Sequence, residues 1–473
     1  MATKLAVIAD LHYYSPSLGV TGRAYELRSG SDQKCLAESG AVIDAAFDQL
    51  ANSDVDAVLI AGDVTNDGEA VSHKGILSKI RKLQEKKPVY MITSTHDWCT
   101  DGNPRRYEGN EVFHDVPAYN AKTLDAAYAD VGRNACIAEF ENGHGFHSRV
   151  FQVSENLRLI AVNDDADHPT GASGYSKKHL KWMCEQIAAA KAAGCDVIAM
   201  EHHLLLYGVA KIINKGQSIG DNFAVAATLA DAGLRLMFVG HSHMQRTTTY
   251  VSQKGNKITQ VNVGALTGYP APINIVTVEN GKADVRVERL KTFTLNGKQV
   301  GASFFKEHTA ALFYNLLQAA ASDKQDLKDR LDGQGIRIGP YNLVYPFIRF
   351  FAKKALTIRV GAAARAVNLV TFGRGIDKKA VRAVRKQPLL PHIIDIVMNI
   401  FDGSETSKTQ DENVKRIAMD VARLPGRIVR RLPMPKKKKE KLLKTLSEIV
   451  SIMKELLYPS LPDNTHSVVE IGK

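Results

Sequence analysis

No uninterrupted apolar run in the sequence reaches membrane-spanning length, because its longest candidates are broken by Arg or Lys. The first strand candidate begins at Lys4, which leaves no room for a signal peptide before it. Cysteine is sparse: Cys35, Cys99, Cys136, Cys184 and Cys195 are scattered and form no Cys-x-x-Cys pair. An odd count without a framework argues against a disulfide scaffold and for reduced, mostly buried thiols in a cytoplasmic protein. There is no internal repeat, and no recognised nucleic-acid-binding motif. With 473 residues the chain is long enough for two or three domains.

Charge is plentiful but uneven. Residues 301–473 carry 31 Lys+Arg against 17 Asp+Glu, a net of +14, which leaves residues 1–300 at −2 of the chain's +12. Such asymmetry implies two parts with different surfaces.

The first part alternates short β-branched runs with helical patterns. Residues 4–9 (KLAVIA), 56–61 (DAVLIA) and 88–93 (PVYMIT) read as strands, with helices over 35–50 and 72–86 between them. A hairpin over 146–153 and 157–162, a helix over 177–193 and a strand over 196–200 follow. After a short helix over 223–232 comes the apolar run that ends in Gly240-His241-Ser242-His243. Residues 246–289 alternate apolar and polar and read as an antiparallel group, a second sheet packed on the first. From about Ser303 the pattern turns helical, with candidates at 303–330, 342–370, 377–400, 411–431 and 436–458, then a polar tail over 459–473.

Five apolar runs end in residues that bind metals: Asp10 and His12; Asp63; Thr95-His96-Asp97; His202-His203; and His241 with His243. Taken singly, a strand-terminal Asp is usually a turn or cap, and a lone loop His is usually hydrogen-bonded. Five such ends in succession, converging if the strands share one sheet edge, read instead as a metal site. His73, His144, His147, His168 and His179 read as surface or loop residues.

The ordered set Asp10-x-His12, Gly62-Asp63, His96-Asp97, His202 and Gly240-His241-x-His243 resembles the calcineurin-like metallophosphoesterase superfamily over roughly residues 1–290. The stretches 9–16 (ADLHYYSP) and 62–69 (GDVTNDGE) resemble a bacterial group related to class III cyclic-nucleotide phosphodiesterases, some with a helical C-terminal extension. The resemblance implies an α/β fold, a four-layer αββα sandwich (residues 1–295), followed by a basic, mostly α-helical C-terminal domain (303–473). It implies two metal ions, of Mn, Fe or Zn, suited to a mixed carboxylate and imidazole pocket. Asp10, His12, Asp63 and His243 would hold one; Asp63, Thr95, His202 and His241 the other. Attack on phosphorus would come in line from a metal-bridging hydroxide. His96 would bind a phosphate oxygen or protonate the leaving group, Asp97 would orient it, and His203 would support the site or touch substrate.

One position departs from the pattern: Ser94-Thr95 stands where Gly-Asn is usual. A Thr hydroxyl is a weaker donor than a carboxamide, and Asn66 is a candidate to compensate. The implied activity is that of a phosphodiesterase; a monoesterase on the same core and a weakly active scaffold docking through the basic helices are the alternatives. The stretch 341–360 (YNLVYPFIRFFAKKALTIRV) interleaves aromatics with cations. It reads as a helix packed on the catalytic domain, as a peripheral surface for anionic membrane, or as a non-specific phosphate-backbone binder.

Overall fold

The computed structural model describes residues 2–98, 104–143, 145–165, 173–333, 338–371, 375–459 and 463–472. Cys99, His144 and His168 lie outside the described residues. The chain divides into two compact units, Met1–Thr309 with Pro462–Lys473, and Ala310–Leu461.

Two sheets build the first unit. The six-stranded sheet runs His466–Glu470, Lys282–Arg289, Pro272–Glu279, Thr3–Ile8, Ala57–Ala61, Val89–Ile92. Its last three strands are parallel, and the others pair antiparallel. The seven-stranded sheet runs Arg246–Val251, Lys257–Asn262, Leu236–Val239, Asp196–Met200, Leu157–Ala161, His147–Ser154, Cys136–Glu141. Alternation along each strand explains the layers. Leu5, Val7, Leu59 and Ala61 share one buried cluster with Leu159, Ile198, Met200, Phe238 and Val261, so the two sheets pack face to face. The outer face of the second sheet, with Ile160, Ala199 and Met237, packs on Met183 and Ile187 of the helix Lys177–Ala192 and on Val225 and Leu229 of the helix Asn222–Ala232. The helices Ser39–Ala51 and Ala70–Gln84 belong to the other outer layer, burying Val42, Ile43, Phe47, Ile76 and Ile80. This is the expected sandwich.

Four details differ from the sequence reading. The strands over 246–289 form no sheet of their own: two join each sheet, and Lys257–Asn262 runs parallel to Leu236–Val239. The segment 13–33 contains a helix, Arg23–Ser29. The tail is not a tail, since His466–Glu470 pairs with Lys282–Arg289 at the edge of the first sheet. The helical candidates 303–330, 342–370 and 377–400 are each broken, the last between Lys378–Val384 and Leu389–Phe401. Asp323 caps a new helix by accepting from the backbone N–H of Gln325 and Asp326 at 2.9 Å. The second break falls between Tyr341–Thr357 and Val360–Val370.

In the second unit, Tyr345 and Ala352 pack against Ala319, Ala320, Ala321 and Leu327. Val360, Val384 and Val414 form a separate small core, and Ala364, Ile376 and Leu424 another.

Candidate metal centre

Backbone conformation delivers the ligand-type residues. Asp10, His12, Asp63, His241 and His243 all adopt positive φ, between 42° and 65°. An L-residue there costs about 1–2 kcal/mol, and such strain concentrates at functional sites. Each apolar strand ends and the chain turns sharply, throwing a polar side chain back across the strand terminus. Glycine permits the approach at two places. A Cβ on Gly240 would stand 2.7 Å from the Asp10 carboxylate, and one on Gly62, itself at φ +84°, 2.6 Å from the His202 ring.

The ends converge between the two sheets rather than along one sheet edge. Asp10, His12, Asp63 and the Thr95–Trp98 turn follow strands of the first sheet; His202, His241 and His243 follow strands of the second. Among the ligand-type groups that result are Asp10 with His12 and His243, and Asp63 with His202 and His241, while His12, Asp63 and His96 form a third that overlaps both. In the first, the Nε2 atoms of His12 and His243 lie 3.1 Å apart and 3.6 and 3.5 Å from Asp10 Oδ1. In the second, His202 Nε2 lies 3.0 Å from Asp63 Oδ2. The groups adjoin: His202 Nε2 is 4.0 Å from Asp10 Oδ1, and His12 Nε2 is 3.9 Å from Asp63 Oδ2.

Neighbouring groups fix which imidazole nitrogen faces inward. His202 Nδ1 donates to the Ala61 carbonyl at 2.8 Å, and His243 Nδ1 to Gln33 Oε1 at 2.9 Å. Both leave an Nε2 lone pair for the centre, the arrangement metal-binding histidines use. The His241 backbone N–H donates to both Asp10 oxygens at 3.1 Å.

These residues fit cations. His12 Nδ1 is buried without a hydrogen-bond partner, and buried His202 Nε2 has only the Asp63 carboxylate beside it. Asp10 and Asp63 are both buried, and their titration splits. Burial pushes Asp10 up to about 7, with Asp63 adding to the rise against the pull of His202. Burial would raise Asp63 too, but the imidazoles of His202, His96 and His12 hold it well below the carboxylate range. Burial lowers His202, yet Asp63 outweighs it and raises this imidazole well above its usual value. Burial and the Lys34 ammonium depress His12, and bring His243 down to about 3. A cation relieves all of these conflicts together.

His96 stands at the open side, its side chain 37% exposed, while those of His12 and His202 are fully buried. Its backbone N–H donates to Asp63 Oδ1 at 3.1 Å, and its Nδ1 bonds the Asn66 carbonyl and lies 3.5 Å from Asp67 Oδ1. Burial and Lys34 oppose protonation, but Asp63 and Asp67 raise the imidazole above its usual value. Asp97 does not orient it, contrary to expectation. Its carboxylate accepts from Ser94 N at 2.9 Å, Thr65 N at 2.8 Å and Thr65 Oγ1 at 3.0 Å, tying two strand ends together. Asp67 takes the expected place, braced by Arg105 at 3.5 Å and Arg28 at 4.0 Å.

Thr95, half-buried, opens the Thr95–Trp98 turn, and Asn66 Oδ1 is buried without a hydrogen-bond partner. His203 is only 4% exposed, which leaves little of it for a substrate to touch. Its backbone N–H donates to Asp164 at 2.6 Å, its Nδ1 lies 3.2 Å from the same carboxylate, and its ring packs on His241 at 4.3 Å. His73 and His179 are core residues, not surface ones, and His147 pairs with Asp125 at 3.0 Å.

A family model described as calcineurin-like phosphoesterase matches residues 3–245. The chain belongs to the calcineurin-like phosphoesterase family. The match spans the strand ends that carry Asp10, Asp63, His202, His241 and His243, so the phosphoesterase unit contains the whole cluster. Three solved structures are similar to this phosphoesterase. A dimetal phosphatase from Danio rerio is 11% identical, over 63% of this chain and 99% of its own, with a TM-score of 0.45. A putative 5'-nucleotidase from Staphylococcus aureus is 12% identical, over 76% and 60%, at 0.36. An NAD nucleotidase from Haemophilus influenzae is 10% identical, over 76% and 62%, at 0.32. No curated protein matches the chain closely enough to count as a relative.

Sequence reasoning passed over Gln33, Lys34, Asp67 and Asp164. Asp67 lies in the GDVTNDGE stretch already singled out. Gln33 and Lys34 sit at the end of a loop with no periodicity, and nothing local marks them.

Proposed function

We propose that this phosphoesterase hydrolyses phosphodiesters at a dinuclear metal centre. The observation that carries the dinuclear reading is the pair of adjoining groups, Asp10/His12/His243 and Asp63/His202/His241, with the Nε2 atoms of His12, His202 and His243 facing the two carboxylates. Asp10, His12, Asp63 and His243 would hold one ion; Asp63, His202 and His241, with Thr95 or Asn66, the other. When bound, such a pair supplies Lewis-acid charge to the phosphate and lowers the pKa of a water.

The chain's own residues do the rest. His96, half-buried at the open side and with its imidazole raised above its usual value, binds a non-bridging oxygen and then gives its proton to the departing alkoxide. Asp67 and the Asn66 carbonyl keep its Nδ1 occupied, so the proton leaves from Nε2. Gln33 and the Ala61 carbonyl hold two imidazoles in register, which keeps the cradle formed before substrate arrives. Diester preference is supported by the likeness of residues 9–16 and 62–69 to the class III phosphodiesterase-related group.

The test is a substrate panel on Mn²⁺-loaded protein: bis-p-nitrophenyl phosphate and cyclic nucleotides against p-nitrophenyl phosphate. Faster diester turnover, lost in Asp63→Asn, is expected. Faster monoester turnover overturns the diester reading, and equal activity of Asp63→Asn overturns the site.

A further inference from the structure

The helix Tyr341–Thr357 is inverted relative to an ordinary surface helix. Its inward face is modest: Tyr345 and Ala352 are buried against Ala319–Ala321 and Leu327, with Tyr341, Ile348 and Leu356 partly buried beside them. Its outward face is the more apolar one. Leu343 is 70% exposed, Phe347 65%, Phe350 57% and Phe351 67%. Their spacing, i, i+4, i+7 and i+8, puts them on one stripe. Exposed large apolar groups contiguous on one face mark an interaction surface.

Charge says what covers it. Lys353, Lys354 and Arg359, all exposed, follow the stripe directly, and Lys354 Nζ lies 5.8 Å from the Phe350 ring. Arg349, within the stripe's span, turns aside to donate to the Ala321 carbonyl at 3.2 Å. The unit Ala310–Leu461 carries 29 Lys+Arg and 14 Asp+Glu, a net of +15. A second copy would oppose two such charges. Single-stranded nucleic acid favours cations interleaved with stacking platforms, whereas here Arg349, interleaved in sequence, turns aside to Ala321, and the other cations follow the exposed apolar stripe at one end. An apolar stripe with an adjoining cationic rim suits a bilayer interface rich in anionic lipid. No helix among the described residues is long and apolar enough to cross a membrane, so the contact would be peripheral.

We propose that the helix Tyr341–Thr357 docks the protein on anionic phospholipid bilayers, with Leu343, Phe347, Phe350 and Phe351 inserted at the interface and Lys353 and Lys354 on the headgroups. This does not depend on the substrate reading above.

Flotation of the full chain with vesicles tests it. Binding to an equal mixture of phosphatidylcholine and phosphatidylglycerol, weakened by salt and absent on phosphatidylcholine alone, is expected. Phe347→Glu with Phe351→Glu should weaken binding by about tenfold or more, and Lys353→Glu with Lys354→Glu should remove most of its salt sensitivity. A separate Phe351→Trp variant should show blue-shifted emission on those vesicles and quenching by brominated lipid. Failure of the unaltered chain to float overturns the proposal. So does unchanged flotation of the Phe347/Phe351 variant while sedimentation shows a dimer lost, or while RNA binding disappears.

Discussion

In the phosphoesterase unit, Asp10, His12, Asp63 and His202 are all 1% exposed or less. In the helical unit, Leu343, Phe347, Phe350 and Phe351 are between 57% and 70% exposed. Each region reverses the usual sorting of polar and apolar side chains, in opposite directions. Buried carboxylates and imidazoles without full hydrogen bonding are destabilising unless a cation completes them. Exposed phenylalanines are tolerable for the fold but leave an adhesive surface. The difference is one of coupling. The first reversal is woven into strand ends and backbone strain, so changing it alters chemistry; the second lies on one helix face and can be altered with little effect on the fold.

The strongest test of that contrast is Asp63→Ala. It removes a carboxylate next to both ligand groups, and phosphodiester hydrolysis should fall by about 10³-fold or more. A modestly lower metal-free melting temperature is expected, because His202 and the His96 N–H lose the carboxylate they pair with. A collapse in melting temperature with activity retained would make the cluster structural.

A second test asks whether burial alone, away from the cluster, titrates. His179 is fully buried, bonds Ser148 Oγ at 2.9 Å and stacks on Phe140. Burial lowers it from 6.5 to about 4, against a small upward pull from Asp164. Below about pH 6.5 the unfolded chain takes up a proton that the folded chain refuses. Stability present above that pH is therefore lost as the pH falls toward 4, by about 3 kcal/mol at most. Denaturant titrations of the chain and of His179→Gln should differ by that slope; parallel curves would remove the claim.

His96→Ala should cost about 10²-fold in kcat for alkyl diesters and much less for a p-nitrophenolate leaving group, which needs no proton. Equal losses on both would assign His96 to phosphate binding alone. Gln33→Ala, which frees the His243 ring, should weaken metal binding by about tenfold in a calorimetric Mn²⁺ titration. Smallest of all, Leu343→Ser should move stability by less than about 0.5 kcal/mol and leave turnover of soluble substrates unchanged. A larger loss would show that the stripe is core after all.

That these residues converge could be read from residue order, because strand ends are legible and Asp and His recur at them in a fixed order. The layers followed from period-two runs alternating with helical ones. What escaped was direction. Asp97 neighbours His96 in sequence, yet a tight turn sends its carboxylate to Ser94 and Thr65 instead. Gln33 reaches His243 across 210 residues, which no local pattern encodes. His73 and His179 carried a missed signal. His73 shares helical spacing with buried Ile76, Leu77 and Ile80, and His179 with Met183 and Ile187. The strand His466–Glu470 was hidden by shortness, with only Ser467 buried.

That strand bears on how the protein is made. A ribosome finishes five of the six strands of the first sheet by Arg289, then synthesises Ala310–Leu461 before the sixth appears. At cellular elongation rates the edge of Lys282–Arg289 waits roughly ten to thirty seconds for its partner. An open edge is where sheets recruit wrong partners. Cutting the chain after residue 302 makes that exposure permanent, so a version lacking the helices should keep the closing strand, tethered back to residue 309 by a linker.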